Sequence, residues 1–324
     1  MIIDMPSTTA NGVAKRMVDL REKHGALALG RVLTLVLVVD EEHAEPAIES
    51  ANYASHEHPC RVLAVVRGTS RGSARLDAQI RVGGDAGAGE VIVLRTFGPL
   101  TAHAESVVIP LLLPDAPVVA WWPGEAPPVP ADDPVGRLAQ RRITDAAACR
   151  RPLAALADRA STYRPGDTDL AWTRITGWRA LLAAALDQPP VERVTAARVV
   201  GAPDSPSADL LAGWLALSLR SPVTRTRASG VDGLVSARLD RTSGPLELDR
   251  PGEDIATLSV PGRAVRVALP KRLDRECLAE ELRRLDPDDV YGDVLSVGLE
   301  RLRATGRTTR SKARSKPRSR VAAR

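Results

Sequence analysis

The sequence predicts an α/β protein. Its N-terminal domain holds a mixed, mostly parallel sheet with helices on both faces, and a second α/β region carrying an antiparallel meander follows. Two observations carry the first part. Arg31-Val-Leu-Thr-Leu-Val-Leu-Val-Val39 and Arg61-Val-Leu-Ala-Val-Val66 are unbroken apolar runs rich in β-branched residues, the pattern of strands covered on both faces. The acidic stretch Glu41–Ser55 between them has the length of a helix, so the three segments make a β-α-β unit with a crossover. A third observation carries the second part: short strand-like segments separated by turn residues between Val223 and Leu269.

Taken in order, a helix is expected over about Gly12–His24 before the first strand, and Asp40 stands where it can cap the helix that follows. Leu76, Ala78, Ile80 and Val82 alternate with Arg75, Asp77, Gln79 and Arg81, which predicts a strand with one wet face. A glycine-rich turn at 83–89 joins it to Glu90–Arg95 as an antiparallel excursion on the sheet. A helix around Leu100–Leu112 then leads to Pro117-Val-Val-Ala-Trp-Trp122, a third buried strand. The connection Pro123–Pro134 contains five prolines and is stiff. Arg150–Leu186 reads as mostly helical with a break near Tyr163–Gly166. Beyond it come a strand at Val194–Val200 and a helix opened by Ser205-Pro206 and running to Leu219. The meander has strands near Val223–Arg227, Leu234–Leu239, Leu246–Leu248, Ile255–Val260 and Ala264–Leu269. Two helices close the fold, one capped by Asp274 and one over Val290–Leu302. The expected division is residues 1–135, 136–304 and a basic tail, 305–324.

Composition narrows the function classes. The chain has 324 residues and a net charge of +5, but ten Lys or Arg and no acid fall between Arg301 and Arg324. Without those ten, 35 basic residues stand against 40 acidic ones, so the body is mildly acidic. The tail lacks the apolar residues needed to fold and is expected to be disordered, associating at most weakly with polyanions. Apolar runs of about eight residues are too short to span a bilayer, and the N-terminus shows no secretory signal. Cys60, Cys149 and Cys277 are widely spaced and odd in number, which is the usage of a reducing, cytoplasmic compartment.

No catalytic constellation emerges. The 83–89 glycines link two strands, whereas a dinucleotide fingerprint or phosphate loop needs a strand before and a helix after. His56 and His58 are two apart and do not share a helix face, so no metal site is expected. Cys60 with nearby His58 is the one nucleophile–base pairing, and their placement around Pro59 disfavours it. His58 and Arg61, at the entrance of a strand, are kept as an anion-holding candidate.

Recognition chemistry is better represented. The chain has nine Trp, Tyr and Phe residues, and four of its five tryptophans lie in two short cassettes. The first is Ala120-Trp121-Trp122-Pro123-Gly124, at the carboxyl end of a buried strand, where open α/β sheets place ligand crevices. The second is Gly166-Asp-Thr-Asp-Leu-Ala-Trp-Thr-Arg-Ile-Thr-Gly-Trp-Arg179. There Asp167 is the expected helix cap and Asp169 lies in the first turn, favoured by the helix dipole. Trp172, Ile175, Trp178, Leu182 and Leu186 fall on one helix face, and Arg174 can stack on Trp178 four residues on. An apolar stripe of this kind packs a core. Acids, arginines and indoles this dense also suit an interface or ligand pocket. Candidate contact residues are therefore Trp121, Trp122, Gly124, Asp167, Asp169, Trp172, Arg174, Trp178 and Arg179, with His58 and Arg61.

With both cassettes in view, the chain resembles the OpcA family of glucose-6-phosphate dehydrogenase assembly proteins of actinobacteria and cyanobacteria. The resemblance rests on the strand Arg31–Val39, His58-Pro-Cys-Arg-Val62, Leu113-Pro-Asp-Ala-Pro-Val-Val-Ala-Trp-Trp-Pro-Gly124 and Gly166–Arg179, and it spans about residues 10–304. It implies a non-enzymatic, cofactor-free effector that binds glucose-6-phosphate dehydrogenase, activates it and so supports NADPH supply through the oxidative pentose phosphate pathway. A sugar-phosphate-binding or -processing α/β protein is the alternative.

Overall fold

The computed structural model describes residues 1–24, 32–82 and 90–304. Arg31, the turn expected at 83–89 and the tail 305–324 lie outside the described residues. The chain begins with strand β1 (Ile2–Thr8) and helix α1 (Ala10–His24). Next come β2 (Leu33–Asp40), α2 (Glu41–Glu57), β3 (Cys60–Arg67), β4 (Arg75–Val82) and β5 (Glu90–Phe97). Short α3 (Ala104–Val108) precedes β6 (Val118–Trp121), β7 (Arg141–Thr144), α4 (Pro152–Thr162) and β8 (Asp167–Asp169). Then follow α5 (Leu170–Thr173), α6 (Thr176–Leu186), β9 (Ala196–Gly201) and α7 (Pro206–Ser218). Strands β10 (Val223–Arg227), β11 (Leu234–Asp240), β12 (Leu246–Asp249), β13 (Ile255–Val260) and β14 (Arg263–Ala268) lead to α8 (Asp274–Arg283) and α9 (Asp289–Asp293).

These elements form two compact units. One comprises Met1–Arg174 with Arg272–Asp289, the other Ile175–Lys271 with the described residues 290–304. The division falls at Arg174/Ile175 and not at 135/136, because the strands after the proline-rich connection continue the first sheet.

In the first unit the sheet order is β1-β4-β5-β3-β2-β6-β7-β8. Six of these strands, β5-β3-β2-β6-β7-β8, run parallel, while β4 is antiparallel to both β5 and β1. The parallel strands occur in the order 3-2-1-4-5-6 of a doubly wound dinucleotide-binding sheet, with β2 at the point where the winding reverses. Alternate residues feed two cores. Leu35, Leu37 and Val62 pack with Ile48 of α2 and Leu278 and Leu282 of α8 on one face. Val36, Val38 and Leu63 pack with Val13 and Met17 of α1 and Val107 of α3 on the other. This burial of both faces is what the apolar runs predict.

Strands β1, β7 and β8 were not expected. The helix expected over Leu100–Leu112 is broken into a 3-10 turn Gly98–Ala102, α3 and a second 3-10 turn Ile109–Leu111, where Pro110 removes an amide donor. Asp40 stands at the N-cap position of α2 without making a side-chain cap bond.

The second unit holds a sheet ordered β10-β9-β11-β12-β13-β14. Only β9 and β10 are parallel, and β11 to β14 form the antiparallel meander. Helix α7 is buried on nearly every side and is capped by Ser205, whose hydroxyl accepts from Ala208 N at 3.2 Å. The expected helix over Val290–Leu302 contains a π turn, Val294–Gly298. There Gly298 meets Gly213 of α7 so closely that a Cβ on Gly298 would lie 2.6 Å from the Gly213 carbonyl oxygen.

Candidate functional site

The first tryptophan cassette ends strand β6. Trp121 and Trp122 are both essentially inaccessible, at 1% and 0% exposure. Trp121 joins the core under α2 and α8, and Trp122 the core under α1 and α3. Both indole Nε1 atoms are buried without a hydrogen-bond partner, so the rings act as apolar volume. Gly124 is half-buried just beyond, and its carbonyl accepts a weak bond from Cys149 Sγ at 3.5 Å.

The second cassette opens on Gly166, whose φ of +93° and 2.4 Å approach of a Cβ to the Gln140 carbonyl require glycine. Its residues are then divided. Asp167 to Arg174 belong to the first unit, and Ile175 onward to the second. Asp167 is not the helix cap: it is the first residue of β8, and its carboxylate takes the Arg142 Nε at 2.5 Å and the Arg164 amide at 2.8 Å. The cap is Asp169, which accepts from Ala171 N at 2.9 Å, Ala146 N at 2.9 Å and Thr144 Oγ1 at 2.7 Å. Asp169 is fully buried, and that burial with the nearby Asp145 carboxylate pushes its pKa up to about 6 against these bonds. Trp172 is buried and donates its indole N–H to Asp288 at 2.8 Å.

Arg174 does not stack on Trp178. Its guanidinium forms a bidentate pair with Asp145, at 2.8 and 2.6 Å, and reaches Asp274 at 2.6 Å. Burial opposes its charge, but these carboxylates raise its pKa overall. The helix breaks after α5, so the i,i+4 spacing assumed for the stack does not hold. In the second unit Trp178 is buried with Arg250 over its ring at 5.3 Å, and Arg179 donates to Thr176 Oγ1 at 3.2 Å.

His58 and Arg61 flank the start of β3 and do not form an exposed anion site. Arg61 is 5% exposed, with Nε on Glu90 at 2.6 Å and Nη1 on the Leu111 carbonyl at 2.6 Å. His58 is half-buried, and its backbone N–H closes α2 on the Ala54 carbonyl.

The three cysteines are buried. Burial, with Glu125 and Asp169 nearby, raises the Cys149 thiol to about 11, and burial raises Cys277 to about 12. Neither is a poised nucleophile. Among the described residues no group of three or more His, Cys, Asp or Glu is placed to hold a metal, and no helix is long and apolar enough to cross a membrane.

Sheets of this winding hold a dinucleotide beyond the carboxyl end of the first strand, against a glycine-rich turn and a helix N-terminus. Here β2 passes into α2 through Asp40-Glu41-Glu42 with no glycine. A cleft of ≈ 440 Å³ lies at this point, lined by Asp40, Glu105 and Asp133, with Arg67 the one basic side chain. Carboxylates stand where a pyrophosphate needs amide donors, and like charges at that distance repel. The residues do not fit a dinucleotide.

A second cleft, of ≈ 410 Å³, opens beyond β7 and β8 beside the start of α4. Arg150, Arg151 and Arg159 line it together with Glu125, Asp158 and Asp169. Of the candidate residues only Asp169 reaches it. The arginines carried no sequence signal, since paired cations at the start of a helix are ordinary surface composition.

Two family models match the chain: the glucose-6-phosphate dehydrogenase subunit N-terminal domain over residues 51–161 and the corresponding C-terminal domain over residues 165–295. No curated protein matches it. Solved structures similar to it include a 3-ketoreductase from Actinomadura kijaniata, 13% identical, covering 84% of this chain and 98% of that one at a TM-score of 0.44. An oxidoreductase of the Gfo/Idh/MocA family from Vibrio cholerae is 8% identical over 87% and 99% of the two chains, with a TM-score of 0.35. Glucose-6-phosphate 1-dehydrogenase from Mycobacterium avium is 10% identical over 81% and 90%, with a TM-score of 0.39. Matched in both halves, the chain belongs to the OpcA family of glucose-6-phosphate dehydrogenase assembly proteins.

Proposed function

We propose that this protein is a non-catalytic cytoplasmic effector that binds glucose-6-phosphate dehydrogenase, promotes its active oligomer or improves its substrate response, and so raises NADPH supply through the oxidative pentose phosphate pathway. The family matches over both halves of the chain carry this reading. The acidic Asp40-Glu41-Glu42 turn supports it from chemistry, because a doubly wound sheet with carboxylates at its pyrophosphate position is suited to a role other than hydride transfer. Within the cassettes, the buried rings of Trp121, Trp122, Trp172 and Trp178 hold the frame, and the better exposed Gly124, Arg174 and Arg179 are the members left for contact. His58 and Arg61 at the start of β3, and Asp167 and Asp169 on β8, are assigned supporting roles within the first unit.

Co-purification with the dehydrogenase, sedimentation of the mixture and rate measurements with and without this chain test the proposal. The expected result is a shared complex with a higher rate or lower apparent KM. An unchanged oligomeric state, KM and rate would overturn it.

A further inference from the structure

The cleft beside α4 has a feature that packing does not explain. Arg159 is 8% exposed, and its Nη2 is fixed by the carbonyls of Pro127 at 2.8 Å and Pro128 at 3.4 Å. Its Nη1 is buried without a partner. Such a guanidinium nitrogen is a donor left unmet unless an acceptor reaches it. Arg150 and Arg151 line the same cleft and are exposed, and Arg151 sits at the N-cap of α4, an 11-residue helix opened by Pro152. The positive end of the helix, with Arg150 and Arg151 beside it, and Arg159 from the helix's last turn thus line one cleft.

The acids around it restrict what can bind. Glu125 accepts from the Arg150 amide at 2.9 Å and its Nε at 3.2 Å, and Asp158 lies on the same wall. These carboxylates would repel a second anionic group but accept hydroxyl donors. One compact anion needing several donors, joined to a hydroxylated body, satisfies both sets of groups. Arginine forks match phosphate oxygens in pairs, and ≈ 410 Å³ lies within the range of small-molecule sites.

We propose that this cleft binds a polyhydroxylated phosphate monoester, its phosphate held by Arg150 and Arg151 at the start of α4 and by Arg159 reaching in from the last turn, and its hydroxyls by Glu125 and Asp158. The proposal needs no partner protein and stands apart from the effector role.

Titration calorimetry on the full chain alone, with glucose 6-phosphate, inorganic phosphate and glucose as probes, tests it. Glucose 6-phosphate is expected to bind, inorganic phosphate about tenfold or more weakly, and glucose not measurably. Arg151→Gln, at an exposed position, should weaken glucose 6-phosphate by about tenfold with Tm unchanged, and Arg159→Met by more. If Arg159→Met does not fold, Arg151→Gln decides alone. No binding of glucose 6-phosphate at millimolar concentration, or binding indifferent to Arg151→Gln, overturns the site. Inorganic phosphate binding as tightly as the sugar phosphate overturns the hydroxyl contacts.

Discussion

Trp121 and Trp122 are consecutive residues at the end of β6 that fill opposite cores of one sheet, Trp121 beneath α2 and α8 and Trp122 beneath α1 and α3. Side chains of adjacent strand residues point to opposite faces, so a tryptophan pair here plugs both layers at the same height. Clustering in the sequence thus reflects two separate packing jobs.

Truncating either ring should be severe. Trp121→Ala and Trp122→Ala are each expected to cost about 3–5 kcal/mol in urea denaturation, the range for emptying a large aromatic from a core. Phenylalanine should be tolerated better at both, since neither indole N–H has a partner to lose. Trp172→Phe breaks the 2.8 Å bond to Asp288 and should cost about 1.5–3 kcal/mol more than Trp121→Phe, the worth of a hydrogen bond to a charged group. Equal losses at the two positions would argue against the Asp288 bond.

A buried ion pair ties α8 to the sheet. Arg141 of β7 donates to Glu281 of α8 at 2.5 Å and to the Asp286 carbonyl at 2.7 Å, and Thr173 bonds the same carboxylate. Both partners are 6% exposed or less. Removing one partner strands the other, so Glu281→Leu or Arg141→Met alone should cost about 3–5 kcal/mol, and the double variant less than the sum. A double-mutant cycle measures the coupling, and strict additivity would show that the pair is not formed.

The same pair explains why part of the fold was hidden in the sequence. β2 and β3 are legible because their own residues are apolar throughout. β7 reads Arg-Arg-Ile-Thr and β8 reads Asp-Thr-Asp, segments that no hydrophobic pattern marks as buried strands. Their charges are neutralised by each other, through Arg142 and Asp167, and by Glu281, 140 residues away from Arg141. Neutralisation by distant partners leaves no local trace. Likewise the acids and tryptophans of the second cassette are legible as a cluster, but the helix break after α5 sends Arg174 to Asp145 and leaves Trp178 to Arg250. The arginine cleft depends on Arg159 lying over the prolines of a connection some thirty residues earlier, again invisible locally.

Asp169 should leave a signature in the pH dependence of stability. Its folded pKa of about 6 lies above the unfolded value of 3.8. Between those values the unfolded chain releases the proton while the folded chain keeps it, so this group's contribution falls as pH rises from about 4 to 6 and is flat above. Asp169→Asn removes the titration. The stability of wild type relative to Asp169→Asn should therefore decline from pH 4 to pH 6, and a difference constant across that window would show that the carboxyl titrates normally.

The acidic turn after β2 makes a prediction about cofactors. In a sheet wound as this one is, a pyrophosphate would have to settle against Asp40, Glu41 and Glu42 at the start of α2, where the helix dipole favours an anion but the side chains oppose it. Glu41 is engaged by Arg95 at 3.0 Å, yet the cleft itself keeps Asp40, Glu105 and Asp133 facing one arginine. Millimolar NADP⁺ is therefore expected to give no calorimetric heat and no rise in Tm. A micromolar Kd for NADP⁺ would mean that the carboxylates are bypassed, and it would count against the non-catalytic reading itself. The outcome is independent of the arginine cleft, because the two sites lie beyond different strands, β2 and β3 in one case and β7 and β8 in the other.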